Sequence, residues 1–156
     1  MIAKTVAQDI GKGLVAGLAG TAAMTVSSTL EAKLRNRQPS SAPAKAAEKV
    51  LGIRCFESPA AESRFSNLVH WGYGTGWGAV RGLLDAAGLS PKAATIAHGA
   101  AVWGQEVVML PKLDVAPPIN LWGKEEVAID IFHHAVYASA TGLAYELLSN
   151  GRNGRR

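Results

Sequence analysis

Four stretches of this chain are apolar enough to lie in a bilayer, and each carries a polar residue that lipid would reject. They run from Gly13 to Glu31, Phe65 to Leu84, Ala93 to Leu110 and Val127 to Leu148. About 20 predominantly apolar residues is the length that crosses a hydrocarbon core as a helix. A chain of 156 residues has room for four such spans, their connections and little else. The pattern predicts an all-α fold: a four-helix up-and-down transmembrane bundle with a long first connection, one helical membrane domain over residues 1–156.

Residue usage agrees with helices that meet closely. Leu, Val, Ala and Gly dominate, and aromatic residues are sparse, which favours helix over strand. The 17 glycines would weaken an ordinary water-soluble helical protein, because each costs about 1 kcal/mol against Ala inside a helix. In a membrane they let backbones approach. Gly13-x-x-x-Gly17 opens the first span, and Gly74, Gly78 and Gly82 make a second ridge on the next. These five glycines are assigned to helix packing.

The connections follow from turn chemistry. Pro39 and Pro43 break the chain after Lys33, Arg35 and Arg37, and Ala44 to Leu51 has the pattern of a short amphipathic helix. Gly88-Leu-Ser90-Pro91 is a turn, with Ser90 capping the third span and Pro91 at its first position. Pro111 ends that span, and Pro117-Pro118 stiffens the link to the fourth. Trp122 suits a headgroup-level anchor. Gly151 to Arg156 reads as a frayed basic tail.

Charge and cysteine usage exclude several classes. The net charge is +4, and the basic residues lie in connections and tail rather than interleaved with aromatics, so no nucleic-acid partner is expected. Basic flanks suit anionic lipid headgroups, which makes the bilayer the expected partner. One cysteine, Cys55, excludes an internal disulfide and a cysteine-cluster metal site. Residues 16–24 resemble an export signal, but the polar start through Lys12 is long and the apolar run continues to Leu30, so the segment reads as a retained span. Lys and Arg number nine on the first-to-second and third-to-fourth connection side against seven on the other, a small bias towards outside termini.

Alternating helix directions bring one set of polar residues to one end. Glu31, His70, Glu106, Asp130, His133 and His134 fall at similar depths, roughly 5–8 Å inside their span ends with the histidine pair a turn deeper, at about 1.5 Å per residue. His98 falls towards the opposite end. These six form the candidate site. Asp130-x-x-His133 has the i, i+3 spacing by which one helix offers two ligands to a metal. No cofactor is assigned, and a divalent metal is the class the set could hold. The alternatives are a proton-handling chain of the same residues, and plain pairing among them or with Arg81, Gln105 or Tyr137 that fixes helix register. No residue is assigned as catalytic: Ser27, Ser28 and Ser66 lack a nucleophile elbow, and Cys55 has no histidine partner.

Pro117-Pro118-Ile-Asn-Leu-Trp122-Gly-Lys-Glu-Glu126, followed by Asp130-Ile-Phe132-His133-His134-Ala-Val-Tyr137, resembles the C-terminal part of YagU-like bacterial inner-membrane proteins. His70-Trp-Gly-Tyr-Gly-Thr-Gly is loosely similar to their middle helix. The resemblance covers about the last third of the chain and that patch. It implies a multi-span protein of the bacterial inner (plasma) membrane and assigns no catalytic residue. The combined expectation is a small integral membrane protein without established enzymatic activity. It would serve as an accessory or scaffold subunit of a larger membrane complex or homo-oligomer. The alternative is a metal- or proton-handling protein built on the polar cluster.

Overall fold

The computed structural model describes residues 2–38 and 40–153. They fold into five α-helices and a single 3-10 turn, with no strand among the described residues. The helices are α1 (Ile2–Leu34), α2 (Ala42–Leu51), α3 (Pro59–Ala86), α4 (Pro91–Lys112) and α5 (Lys124–Asn153). The turn at Ile119–Leu121 interrupts the extended link between α4 and α5. Pro39 and residues 154–156 of the expected tail lie outside the described residues, and α5 runs on to Asn153.

Caps explain why the helices start and stop where they do. Ser90 accepts the Ala93 amide at 3.4 Å with Pro91 in the first turn. Ser58 does the same for Ala61 at 3.2 Å with Pro59 behind it, so α3 begins ahead of Phe65. The short helix expected at Ala44 to Leu51 is α2, closed by Gly52 at φ 69. Pro111 does not end α4 directly. The helix runs one residue further, to Lys112, and Asp114 leaves it at φ 52.

The long helices alternate in direction. α1 packs on α3 and α5, and α4 packs on α5 and more lightly on α3. Asp9 lies against Gly82, Gly17 against Gly78 and Thr21 against Gly74, so α1 and α3 are antiparallel. α5 returns along α1, with Thr141 and Tyr137 at Gly20 and His133 at Ser27. A Cβ at Gly78 would lie 2.7 Å from the Gly17 Cα, and one at Gly17 would lie 2.8 Å from the Gly78 Cα. Gly13 and Gly82 are held as closely, against the Gly78 and Asp9 carbonyls. At Gly74 the close neighbour is the Thr21 side chain.

Burial is inverted relative to a water-soluble helical protein. The largest fully buried side chains are Arg81, Tyr145, His98, Thr21 and Thr141, while the apolar core consists mainly of alanines. Leu14, Val15, Leu18, Val26 and Leu30 stand exposed along α1, as do Ile131, Phe132, Leu143 and Leu147 along α5. Among the described residues, α1 is the one helix long and apolar enough to cross a membrane by length and composition, over Thr5–Leu34. The mean hydropathy of α3 and α5 is below that of α1, whereas α4 matches it.

Candidate metal centre

A cavity of about 1130 Å³ opens where α1 and α4 finish and α3 and α5 begin. Helix repeat sets what faces it. Thr21, Thr25 and Ser28 follow one another at one-turn spacing on α1, His70 and Gly74 do so on α3, and Asp130, His133, His134 and Tyr137 share the start of α5. Glu106 enters from the last turns of α4.

Three of the six expected residues converge on one point. Glu106, Asp130 and His134 each offer a ligand atom, and these atoms lie within 4.8 Å of one another. His134 Nε2 is 2.7 Å from Glu106 Oε2, and its Nδ1 is 2.9 Å from the Asp130 main-chain carbonyl. A carbonyl only accepts, so Nδ1 carries a proton there, and the 2.7 Å contact between Nε2 and Glu106 Oε2 holds a second proton, which a cation bound at Nε2 would displace. Orienting a ligand imidazole through its other ring nitrogen is the usual outer-shell device at a metal. Trp103 does the equivalent for Asp130: its Nε1–H donates to Oδ2 at 2.8 Å, leaving Oδ1 at 3.6 Å from His134 Nδ1.

The other three residues share the basin end but are turned elsewhere. His133 faces α1. Ser27 Oγ donates to the Met24 carbonyl at 3.0 Å. Its remaining role is to accept the His133 Nδ1–H at 2.9 Å. His133 Nε2 then points at Glu31 Oε2, 3.7 Å away, and has no hydrogen-bond partner. Glu31 is held by Arg37, whose Nε is 2.9 Å away, and by Arg35 at 3.3 Å. Arg35 in turn reaches Glu126 at 3.2 Å, and the Glu126 and Glu31 carboxylates raise its already high pKa. His70 Nε2 donates to Thr25 Oγ1 at 2.8 Å, because that hydroxyl has given its proton to the Thr21 carbonyl.

Two expectations change as a result. The α5 pair that converges with Glu106 is Asp130 with His134, at i, i+4, instead of Asp130 with His133. Residues four apart are offset by about 40° around a helix and residues three apart by about 60° the other way. α4 lies on the His134 side and α1 on the His133 side. Nor do the suggested extra partners join the cluster. Gln105 bonds Tyr73 and Met109, Tyr137 donates to the Gly74 carbonyl at 2.6 Å, and Arg81 sits by Asp85 and Tyr145. His98 lies apart from the basin group, bonded to the Trp77 carbonyl at 3.0 Å. Sequence reasoning missed Trp103, Ser27 and Thr25 as supports. Helical spacing was the available signal: Trp103 precedes Glu106 by three residues and Ser27 precedes Glu31 by four, each on the same face.

The donors suit a divalent first-row ion such as Mn²⁺, Fe²⁺ or Zn²⁺, for which carboxylates and imidazole are the usual ligands. Ligands about 2.1 Å from one ion lie about 3 Å apart when adjacent and about 4.2 Å apart when opposite. The 2.7 Å and 4.8 Å separations therefore need only small side-chain adjustments. No protein-family model matches the chain, and neither a curated protein nor a solved structure matches it.

Proposed function

We propose that this chain is an integral membrane protein whose four long helices form an up-and-down transmembrane bundle. In this reading its basin binds a divalent cation through Glu106, Asp130 and His134. Inverted burial supports the membrane half. Each large aliphatic side chain left in water forgoes about 1.5–3 kcal/mol of burial, and this chain leaves a run of them outside while enclosing Arg81, His98, His133 and His134. Acyl chains outside the helices reverse that penalty. The likeness of residues 117–137 to YagU-like proteins supports the bacterial inner membrane as the location.

The observation that carries the metal half is the convergence of three ligand atoms within 4.8 Å, on an imidazole already oriented through its Nδ1–H. Register-fixing pairs need no basin around them, whereas this cluster borders a cavity large enough for a hydrated ion. An accessory or scaffold role in a larger complex or homo-oligomer is the second reading, favoured by the continuous exposed aliphatic faces of α1 and α5. Two measurements test the proposal. Carbonate washing should leave the protein in the membrane pellet, and release into the supernatant would remove the membrane reading. Elemental analysis of detergent-purified protein should find one divalent ion per chain, lost in Glu106→Gln. Absence of stoichiometric metal, with titrated Mn²⁺ or Zn²⁺ also failing to bind, would leave the scaffold role.

A further inference from the structure

Beyond the basin floor the axis of the protein stays polar. Tyr137 lines the basin, and its ring packs against His98 with centroids 5.4 Å apart. His98 is fully buried and donates Nε2–H to the Trp77 carbonyl, which the helix repeat pairs with the Arg81 amide. Arg81, also fully buried, lies one turn past Trp77 on α3 with its guanidinium 4.3 Å from the Tyr145 ring centre. One further turn brings Asp85, which accepts from the Tyr145 hydroxyl at 3.1 Å and is 33% exposed. On α5, Tyr137, Thr141 and Tyr145 follow at one-turn spacing. A file of polar groups thus runs from the open basin to the opposite end of the helices.

The hydrogen bonds along this file are incomplete in a consistent way. His98 Nδ1, Thr141 Oγ1 and all three guanidinium nitrogens of Arg81 are buried without a hydrogen-bond partner. With Nε2–H spent on a carbonyl, the neutral His98 ring offers Nδ1 as an acceptor. Arg81 offers only donors. The open acceptor and the open donors, both buried, are satisfied by water, which has capacity for each. Burying either uncompensated in an apolar surrounding is costly.

We propose that this seam carries protons between the basin and the Asp85 end, an activity that rests on the membrane reading and uses none of the metal-binding residues. A proton from basin water adds to His98 Nδ1 and forms the imidazolium. The Nε2 proton gives up its hydrogen bond to the Trp77 carbonyl, leaves to water held beside Arg81 and passes to the Asp85 carboxylate and then to solvent. Rotation of the ring then turns the bare Nε2 towards the basin side and Nδ1–H towards the Arg81 side, and passage of a second proton regenerates the starting tautomer. In each passage one proton crosses, one N–H bond forms as another breaks, and nothing is oxidised or reduced. The charged and titratable groups facing His98 are Arg81 from α3 and Tyr137 from α5. Arg81 does not titrate. It holds the water in place, with Asp85 at 3.7 Å as its counter-charge.

The test uses the full chain in phosphatidylcholine–phosphatidylglycerol vesicles loaded with pyranine, with proton entry driven by a potassium diffusion potential set by valinomycin. The wild-type protein should acidify the lumen several-fold faster than protein-free vesicles. His98→Gln keeps a polar side chain without a titratable nitrogen and should return the rate to background. Asp85→Asn, at the far end, should lower it as well, which covers the case in which His98→Gln does not fold. Protein that floats with the vesicles yet gives no added flux overturns the relay alone. So does a His98→Gln or an Asp85→Asn that folds and keeps the wild-type rate. Protein that fails to float overturns the relay together with the membrane reading.

Discussion

The two ends of the α1–α3 contact are built from the same kind of helix and behave oppositely. From Asp9 to Gly17, α1 meets α3 with no side chain between the backbones: Gly82 lies against Asp9, and Gly78 against Gly13 and Gly17. From Thr21 onwards hydroxyl side chains stand in that space, first against Gly74 and then bonded to His70. The first half is closed, and the second opens into the basin. The point where the small residues stop on α1 is therefore where a cavity can start. Packing and site are two consequences of one register.

The largest expected effect comes from breaking the closed half. In Gly78→Val, the added Cβ would press on the Gly13 carbonyl and on the Gly17 Cα, 2.7 Å away. Both are backbone, and neither can rotate aside. A loss of about 3 kcal/mol or more is expected, at the upper end for overpacking, read as a lowered melting temperature in detergent or as failure to recover folded protein. Gly76, two residues away on the same helix, has nothing within 4 Å of an added Cβ. Gly76→Ala should be neutral or stabilising by up to about 1 kcal/mol through helix propensity. Equal melting temperatures for the two variants would refute the idea that this seam closes the helix pair.

The open half is tested next by affinity. His134→Ala removes a proposed ligand and should weaken Mn²⁺ or Zn²⁺ binding by about 100-fold or more, beyond the range found for outer-shell losses. His133→Ala, whose ring is bonded to Ser27 and turned towards Glu31, should change affinity by less than about tenfold. Calorimetric titration of both variants separates them, and the reverse ranking would restore the i, i+3 pair as the chelate. Trp103→Phe falls between. It leaves Asp130 Oδ2 without its N–H donor and should weaken binding about tenfold, as loss of an outer-shell partner does.

Helix positions were legible in the sequence because apolar length and Ser-Pro caps are local signals. The Ser90–Pro91 start was read directly. The identical Ser58–Pro59 device is masked in the sequence because Glu62 and Arg64 make the first turns after it look like a connector. The start of α1 was lost in the same way, since its first turns include Lys4, Gln8 and Asp9, yet Asp9 is buried against α3 with Lys12 at 2.7 Å. Convergence of Glu31, His70, Glu106, Asp130, His133 and His134 on one end follows from alternating directions and depth alone. Which three would touch was not legible. It depends on helix rotation, set by contacts distant in sequence such as Gly20 with Thr141, Gly142 with Thr95 and Gly99 with Ala138. The membrane reading of α3, α4 and α5 also rests on three-dimensional burial, because composition alone singles out α1.

The smallest expected effect is at Glu31, and it decides whether the basin acts as one electrostatic unit. Glu31 was grouped with the other five by depth, but its carboxylate is taken up by Arg37 and Arg35 at the basin rim. Both arginine side chains are about a third exposed, so solvent screening leaves these pairs little weight in stability. Glu31→Gln keeps the shape and removes the charge. The melting temperature should stay near the wild-type value, and metal affinity should change by less than about threefold, corresponding to about 0.7 kcal/mol. The reason is that Arg35 and Arg37 already neutralise the field of Glu31 before it reaches Glu106, Asp130 and His134. His133 would feel the change first, because its unpartnered Nε2 faces the Glu31 carboxylate at 3.7 Å. The His133 ring proton signals in an NMR spectrum should therefore shift while the metal isotherm stays put. A tenfold loss of affinity in Glu31→Gln would instead mean that the rim charge is felt at the centre and that all six residues form one site.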